Sequence, residues 1–312
     1  MIKKLFVMLV VYFFCTSTNS WSMIEIDITE GNREPLPLAI TEFFYNDDKK
    51  DVLAEISTNM RNVMSADLER SGLFKSINKE AFIQENKSMH LRPRFEDWRL
   101  IKAQGLITGD LTLEGDKLKV EFRLWDTLAE KEIEALVLIT TQENWRRVSH
   151  MIADKVYERL TAEEGYFDTR IVYVSEEGPK NKRIKKLAIM DQDSFNHRFL
   201  TSGKELVLTP RFNPVRQEIT YLSYFKNLPR VYLLDIQTGI QEVVGDFPGM
   251  TFAPRFSPDG NKIIMSLARE GNSDIYVMDL VTRIVERFTD NPAIDTSPSY
   301  SPDGRRITFN SD

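Results

Sequence analysis

The chain has 312 residues, 42% of them hydrophobic, and its 41 basic and 47 acidic side chains give a net charge of −6. That length sets a prior of two domains with sizeable cores, and that composition excludes a disordered chain. The acidic balance supplies no electrostatic footprint for a nucleic-acid partner.

The first two dozen residues are a different material. Lys3 and Lys4 precede an apolar run from Leu5 to Cys15, and the small polar stretch TSTNSWS follows. This order of charged, apolar and small residues predicts a secretory signal over residues 1–22. The run is about half the ~20 residues a membrane-spanning helix needs, so no transmembrane segment is expected after cleavage. Cleavage is expected after Ser22, with Ser20 the alternative. Cys15 is the only cysteine, and bulky Phe14 before it argues against lipid modification. The mature chain then has no thiol for a disulfide, a nucleophile or a zinc site, which fits a bacterial periplasm.

Residues 24–29, IEIDIT, alternate Ile24, Ile26 and Ile28 with polar partners, including Glu25 and Asp27, and predict an extended segment. Gly31, Asn32, Pro35 and Pro37 interrupt it. Val52, Ile56, Met60, Val63, Met64 and Leu68 have helical spacing and predict a helix over 51–70, stopped by Gly72. A shorter helix is expected at 95–103, hairpin strands at 105–113 and 118–125 around EGDK, and a third strand at 133–140. A second long helix over 143–161 places Trp145, Val148, Ile152, Val156 and Leu160 on one face. Thr140 and Glu143 have the spacing of a capping box at its start. Residues 23–165 are therefore expected to form an N-terminal α/β domain.

After Gly165 the helical periodicity gives way to short strands that repeat. KLAIMD, RVYLLD and DIYVMD end at Asp191, Asp235 and Asp279, and the turns FNPV, FSPD and YSPD start at Phe212, Phe256 and Tyr300, both series stepping by 44 residues. A period of this size holding four short strands is the signature of a β-propeller blade, and it is preferred over a linear β-solenoid. SPDG at Ser257–Gly260 and Ser301–Gly304 suits a type I turn position by position. The first copy has Val215 and Arg216 in place of Asp-Gly, so a weaker turn is expected there. Residues 166–312 hold the outer three strands of one blade, two whole blades and the first two strands of a fourth. Propellers close rings of about 4–8 blades, so an incomplete propeller is expected, with closing blades missing from this sequence.

With these segments in hand, the chain resembles the TolB family. The resemblance rests on the signal sequence, SADLERSGLF at Ser65–Phe74, the junction GYFDTRIVYVS at Gly165–Ser175 and the SPDG repeats, in that order. It implies a six-bladed full-length fold, so that the chain stops on the order of 110–130 residues early at ~44 per blade. It also implies a non-enzymatic periplasmic scaffold of the Tol–Pal system, supporting outer-membrane integrity and constriction at cell division. The implied partners are the peptidoglycan-associated lipoprotein Pal, on one propeller rim, and the inner-membrane protein TolA. The attachment to the outer membrane would be peripheral, through Pal. By the resemblance, Pal contacts fall at Met250, Thr251, Phe252 and Ala253 and at Asp295, Thr296 and Ser297, and TolA engages Ile24, Glu25, Ile26, Asp27 and Ile28. Family members can carry a polar residue, often His, where Met250 stands, which bears on the detailed contact but not on the rim. No cofactor is required. TolB-like propellers can hold calcium in a carboxylate-lined channel, with no ligand set assigned here.

The residues themselves also point to one rim. In an antiparallel blade the SPDG turns share a rim with the turns IQTGIQ and LVTRIV. The longer connections, 175–186, 224–230, 246–253, 269–274 and 290–297, gather on the other, where binding is expected. Phe247, Met250 and Phe252 read there as a contact surface, or equally as inter-blade packing or a channel plug. IEIDIT reads first as an edge strand of its own domain and second as a strand added to a partner's sheet. A segment able to do both would be a switch coupled to Pal binding.

The rival class is the propeller of a secreted serine peptidase whose catalytic part lies beyond residue 312. No G-x-S-x-G elbow, G-x-G-x-x-G or H-E-x-x-H string occurs, and His90, His150 and His197 lie in three separate segments. No enzyme activity is expected, and His150 is expected to be structural or solvated. KNKRIKK at Lys180–Lys186 packs five positive charges into seven residues. A solvated loop is the expected reading, ahead of contact with anionic lipid or an acidic partner.

Overall fold

The computed structural model describes residues 34–46, 50–84, 92–225, 229–245, 247, 250–269 and 271–312. The expected signal, the residues Ile24–Ile28 that the resemblance assigns to TolA contact, and His90 lie outside them. The chain divides into two units, the first ending at Asp168 and the second beginning at Thr169.

In chain order the first unit contains β1 (Leu36–Ile40), β2 (Phe44–Tyr45), α1 (Lys50–Arg70), β3 (Phe74–Ser76), α2 (Phe95–Leu100), β4 (Gly105–Glu114), β5 (Lys117–Asp126), β6 (Lys131–Thr141) and α3 (Trp145–Thr161). The sheet order is β3-β1-β4-β5-β6, with β2 beside β4. β1 runs parallel to both neighbours, while β4, β5 and β6 form an antiparallel meander. The alternation of β5 sends Leu118, Val120, Phe122 and Leu124 into one core, against Met60, Met64 and Leu68 of α1 and Ile152, Val156 and Leu160 of α3. Full burial of each such side chain contributes about 1.5–3 kcal/mol relative to exposure. The other face of the sheet is covered by Phe95 and Trp98 of α2, packed with Leu106 and Trp125.

Two local features depart from expectation. The stretch interrupted by Pro35 and Pro37 contains the strand β1, which lies inside the sheet. Pairing with β4 begins only at Leu38, opposite Gly105, so the missing N–H of Pro37 falls before that ladder. The capping box at Thr140 and Glu143 does not form. Thr140 is held in β6 opposite Leu118, and a 3-10 turn at Gln142–Asn144 intervenes before α3 starts at Trp145. At its other end α3 closes on Ala162 in the left-handed region, and Asp154 accepts backbone hydrogen bonds from Phe167 (2.6 Å) and Asp168 (2.9 Å).

The second unit is strand throughout: β7 (Arg170–Glu177), β8 (Ile184–Asp191), β9 (Arg198–Phe199), β10 (Val207–Phe212), β11 (Glu218–Ser223), β12 (Arg230–Asp235), β13 (Gln241–Gly245), β14 (Met250–Phe256), β15 (Lys262–Arg269), β16 (Asn272–Asp279), β17 (Val285–Arg287), β18 (Thr296–Tyr300) and β19 (Ile307–Asn310). They make antiparallel sheets of three, four, four and two strands in sequence order. Successive sheets pack on one another through β7 and β10, β10 and β14, and β14 and β18. Val231 and Leu233 of one sheet share a core with Ile263, Met265 and Met278 of the next, which is why these strands are apolar on both faces. This is an N-terminal α/β domain followed by part of a β-propeller, and among the described residues the ring is not closed.

The SPDG turn is a hydrogen-bonded device. Asp259 accepts from the Ser257 hydroxyl (2.5 Å) and the Asn261 N–H (3.1 Å), and Ser257 Oγ accepts from the Lys262 N–H (3.0 Å). Gly260 sits at φ +70°. Ser301, Asp303 and Arg305 repeat the pattern at the same distances. Where the first copy lacks Asp-Gly, Asn213 takes over: its Oδ1 accepts from the N–H groups of Val215 and Arg216.

Candidate functional site

The turns of the repeats line one rim. Asn213 Nδ2 and Arg216 both donate to the Gly260 carbonyl of the next sheet, and Gly304 lies against Pro258 in the one after. Arg170 at the start of β7 donates to Gln217, which sets the first sheet the same way up. The opposite rim therefore carries the described residues of the links, 178–183, 224–225, 229, 247, 271 and 288–295. These are shorter than the sequence suggests, because β14, β16 and β18 extend into them. Met250–Ala253 is strand, not loop, with Met250 opposite Ala268 and Phe252 opposite Ser266.

Each innermost strand breaks register near this rim. The shifts fall between Leu208 and Arg211, Phe252 and Arg255, and Thr296 and Ser299, again stepping by 44 residues. Thr209 (φ 49°) and Ser297 (φ 56°) occupy the left-handed region, which non-glycine residues rarely adopt. Such bulges bend a strand and re-aim its side chains, and they recur next to functional sites.

The two stretches assigned by resemblance to Pal contact meet at Ser266. Its residue pairs with Phe252, and its buried hydroxyl oxygen accepts from the Ser297 N–H (3.2 Å). Asp295 is fully shielded from solvent. Its N–H donates to the Ser273 carbonyl (2.7 Å), the Ser273 hydroxyl donates back to the Asp295 carbonyl (3.2 Å), and Asn291 Nδ2 donates to its carboxylate (3.0 Å). Hydrogen bonds from the hydroxyls of Ser311 and Thr289 and from Asn291 hold the Asp295 carboxyl below its usual range, against the opposing effect of desolvation. Beside it, buried Asp274 accepts from Arg287 (2.7 Å). The result is a rigid polar seam between two sheets, with the Asp295–Ser297 backbone fixed by partners on β15 and β16.

Sequence reasoning named Asp295, Thr296 and Ser297 but missed Ser266, Ser273, Asp274 and Arg287. A serine inside an apolar strand carries no sequence signal of its partner. Phe247 is partly buried against the cluster of Val231, Val244 and Ile263, which is the packing reading. His150 is buried against Asp67 in the first unit, and His197 stands exposed between Tyr173 and Phe199. The run 180–186 forms the tip of the β7–β8 hairpin and part of β8. Arg183 and Lys185 pair with Glu176, and Lys186 with Glu177, as surface pairs worth about 0–1 kcal/mol. Among the described residues no helix is long and apolar enough to cross a membrane.

Comparison with known proteins agrees with this architecture. Residues 24–133 match the TolB amino-terminal domain, and residues 157–312 match the TolB beta propeller domain. The chain is 61% identical over 251 residues to the Tol-Pal system protein TolB of Pelagibacter ubique (strain HTCC1062), covering 78% of this chain and 56% of that protein. The chain thus spans little more than half the length of that relative. It is also similar to the crystal structure of TolB from Acinetobacter baumannii, at 29% identity and a TM-score of 0.76, over 93% of this chain and 69% of that one.

Proposed function

The chain belongs to the TolB family, and from that premise we propose that it is a non-enzymatic periplasmic scaffold of the Tol–Pal system. The observation that carries this reading is the 61% identity to a Tol-Pal system protein TolB. Pal is the proposed partner of the rim formed by Met250–Ala253 and Asp295–Ser297. The rigid seam under Asp295 supports the reading, because a recognition surface held in one shape spends little binding free energy on ordering itself. TolA is the proposed partner of Ile24–Ile28, where alternating apolar residues suit strand addition to a partner's sheet. Bridging the two would link the envelope layers and support constriction at division.

The test is calorimetric titration of the chain with the soluble part of Pal. Saturable binding is expected, weakened about tenfold or more by Thr296→Arg on the rim and unchanged by Asp303→Asn on the opposite one. Absence of binding by the unaltered chain, or equal loss in both variants, would refute the assignment.

A further inference from the structure

The innermost strands carry a second repeated feature, which the Pal reading does not use. Just before each turn they read Pro210-Arg211-Phe212, Pro254-Arg255-Phe256 and Pro298-Ser299-Tyr300. Strand alternation points the middle residue away from the proline and the aromatic ring. In β14, Pro254 and Phe256 are buried while Arg255 is half-buried, and in β10 Arg211 is exposed. Neighbouring strands therefore present Arg, Arg and Ser at one level of the inner wall.

Two features bear on this pair of arginines, although Arg170, Arg198 and Arg269 also meet no carboxylate among the described residues. Arg183, Arg216, Arg283 and Arg287 of the same unit each meet a carboxylate within 3.2 Å. Among the described residues Arg211 and Arg255 meet none, and the guanidinium of Arg211 donates only to the Pro210 carbonyl (2.9 Å). The strands that carry them, β10 and β14, pack on one another, with Arg211 and Arg255 at equivalent register positions opposite Thr220 and Ile264. Partial burial, and then the charge of Arg255, hold the Arg211 guanidinium below its usual range. Like charges that are partly desolvated side by side destabilise the fold unless an anion sits between them. A guanidinium is the side chain best shaped to hold a carboxylate or phosphate through paired N–H donors.

We infer that Arg211 and Arg255, with the Ser299 hydroxyl at the equivalent position of β18, form a binding site for a small oxyanion bearing a carboxylate or phosphate group. The site is distinct from the bulged rim and does not depend on Pal.

Thermal unfolding of the full chain tests this, with sodium phosphate and sodium succinate as separate arms against sodium chloride at matched ionic strength. At least one of the two anions is expected to raise the midpoint saturably, and which one acts identifies the group recognised. Arg211→Gln and Arg255→Gln should each weaken that response about tenfold. In chloride alone Arg255→Gln should unfold at a higher temperature than the unaltered chain, because the repulsion is gone. No response to either anion, an equal response in the double variant, or a lower midpoint for Arg255→Gln in chloride would each overturn the inference.

Discussion

Nδ1 of His150 lies 2.5 Å from Oδ2 of Asp67, and both side chains are almost wholly withdrawn from solvent. This pair ties α3 to α1 inside the first unit, where Arg70 also donates to Asp67 (3.1 Å). Truncating either side chain breaks this buried hydrogen bond, which typically costs about 1–3 kcal/mol. Asp67→Ala and His150→Ala should each lower the stability of this unit by about that amount in urea unfolding. A loss below ~1 kcal/mol in both would show that the pair is not a structural tie.

The SPDG glycine and a neighbouring turn glycine separate two costs. Gly239 has φ +72° with nothing within 4 Å of an added Cβ, so Gly239→Ala should cost only the left-handed backbone penalty, about 1–2 kcal/mol. Gly260 has φ +70°, and an added Cβ would collide with Asn213 Oδ1. Gly260→Ala should therefore be the more damaging change, since it also displaces the side chain that organises the turn of the preceding repeat. Equal midpoints for the two variants in denaturant would contradict this.

Individual carboxylates of the chain respond to acid with opposite sign. Backbone N–H groups of Thr238 and Thr282, with smaller contributions from Gln237 and Val281, hold Asp235 and Asp279 below the usual 3.8. Their stabilisation is present above that pH and is lost as pH falls through the lowered values. Burial holds Asp154 above 3.8, despite the two N–H donors it accepts from. The folded state then binds more protons between 3.8 and the raised value, so stability falls as pH rises through that window. Asp154→Asn should remove this fall, and Asp279→Asn should flatten the acid limb. Unfolding midpoints measured from about pH 3 to pH 6 check both signs.

Ser266 offers a cleaner probe of the rim than the rim residues themselves. Ser266→Val keeps the strand and most of the volume but removes the acceptor for the Ser297 N–H. Loss of this partly buried hydrogen bond costs about 0.5–1.5 kcal/mol, so the Asp295–Ser297 backbone should loosen and Pal affinity should fall with it. Unchanged affinity at reduced stability would disconnect the seam from recognition.

Repeats and helices were legible because their signals are periodic. The 44-residue step located the turns, and the 3.6-residue spacing of Ile56, Met60 and Met64 located α1. β1 was hidden because Pro35 and Pro37 are breakers by local rule, and only the tertiary register with β4 shows why Pro37 is tolerated. The capping box at Thr140 was misread for a related reason, since a longer β6 ladder claims the residue before the helix can. The seam at Ser266, Ser273 and Asp274 was not legible at all. Its members come from four strands and the loop before β18, and no local pattern records which polar group meets which.

Backbone amide exchange of the chain, with and without the soluble part of Pal, tests the proposed role most directly. Pal is expected to slow exchange at Met250–Ala253 and at Asp295–Ser297 while leaving the turns at Ser257–Gly260 and Ser301–Gly304 unchanged. Protection confined to those turns, or no protection anywhere in the propeller, would contradict a Pal-binding scaffold that uses this rim.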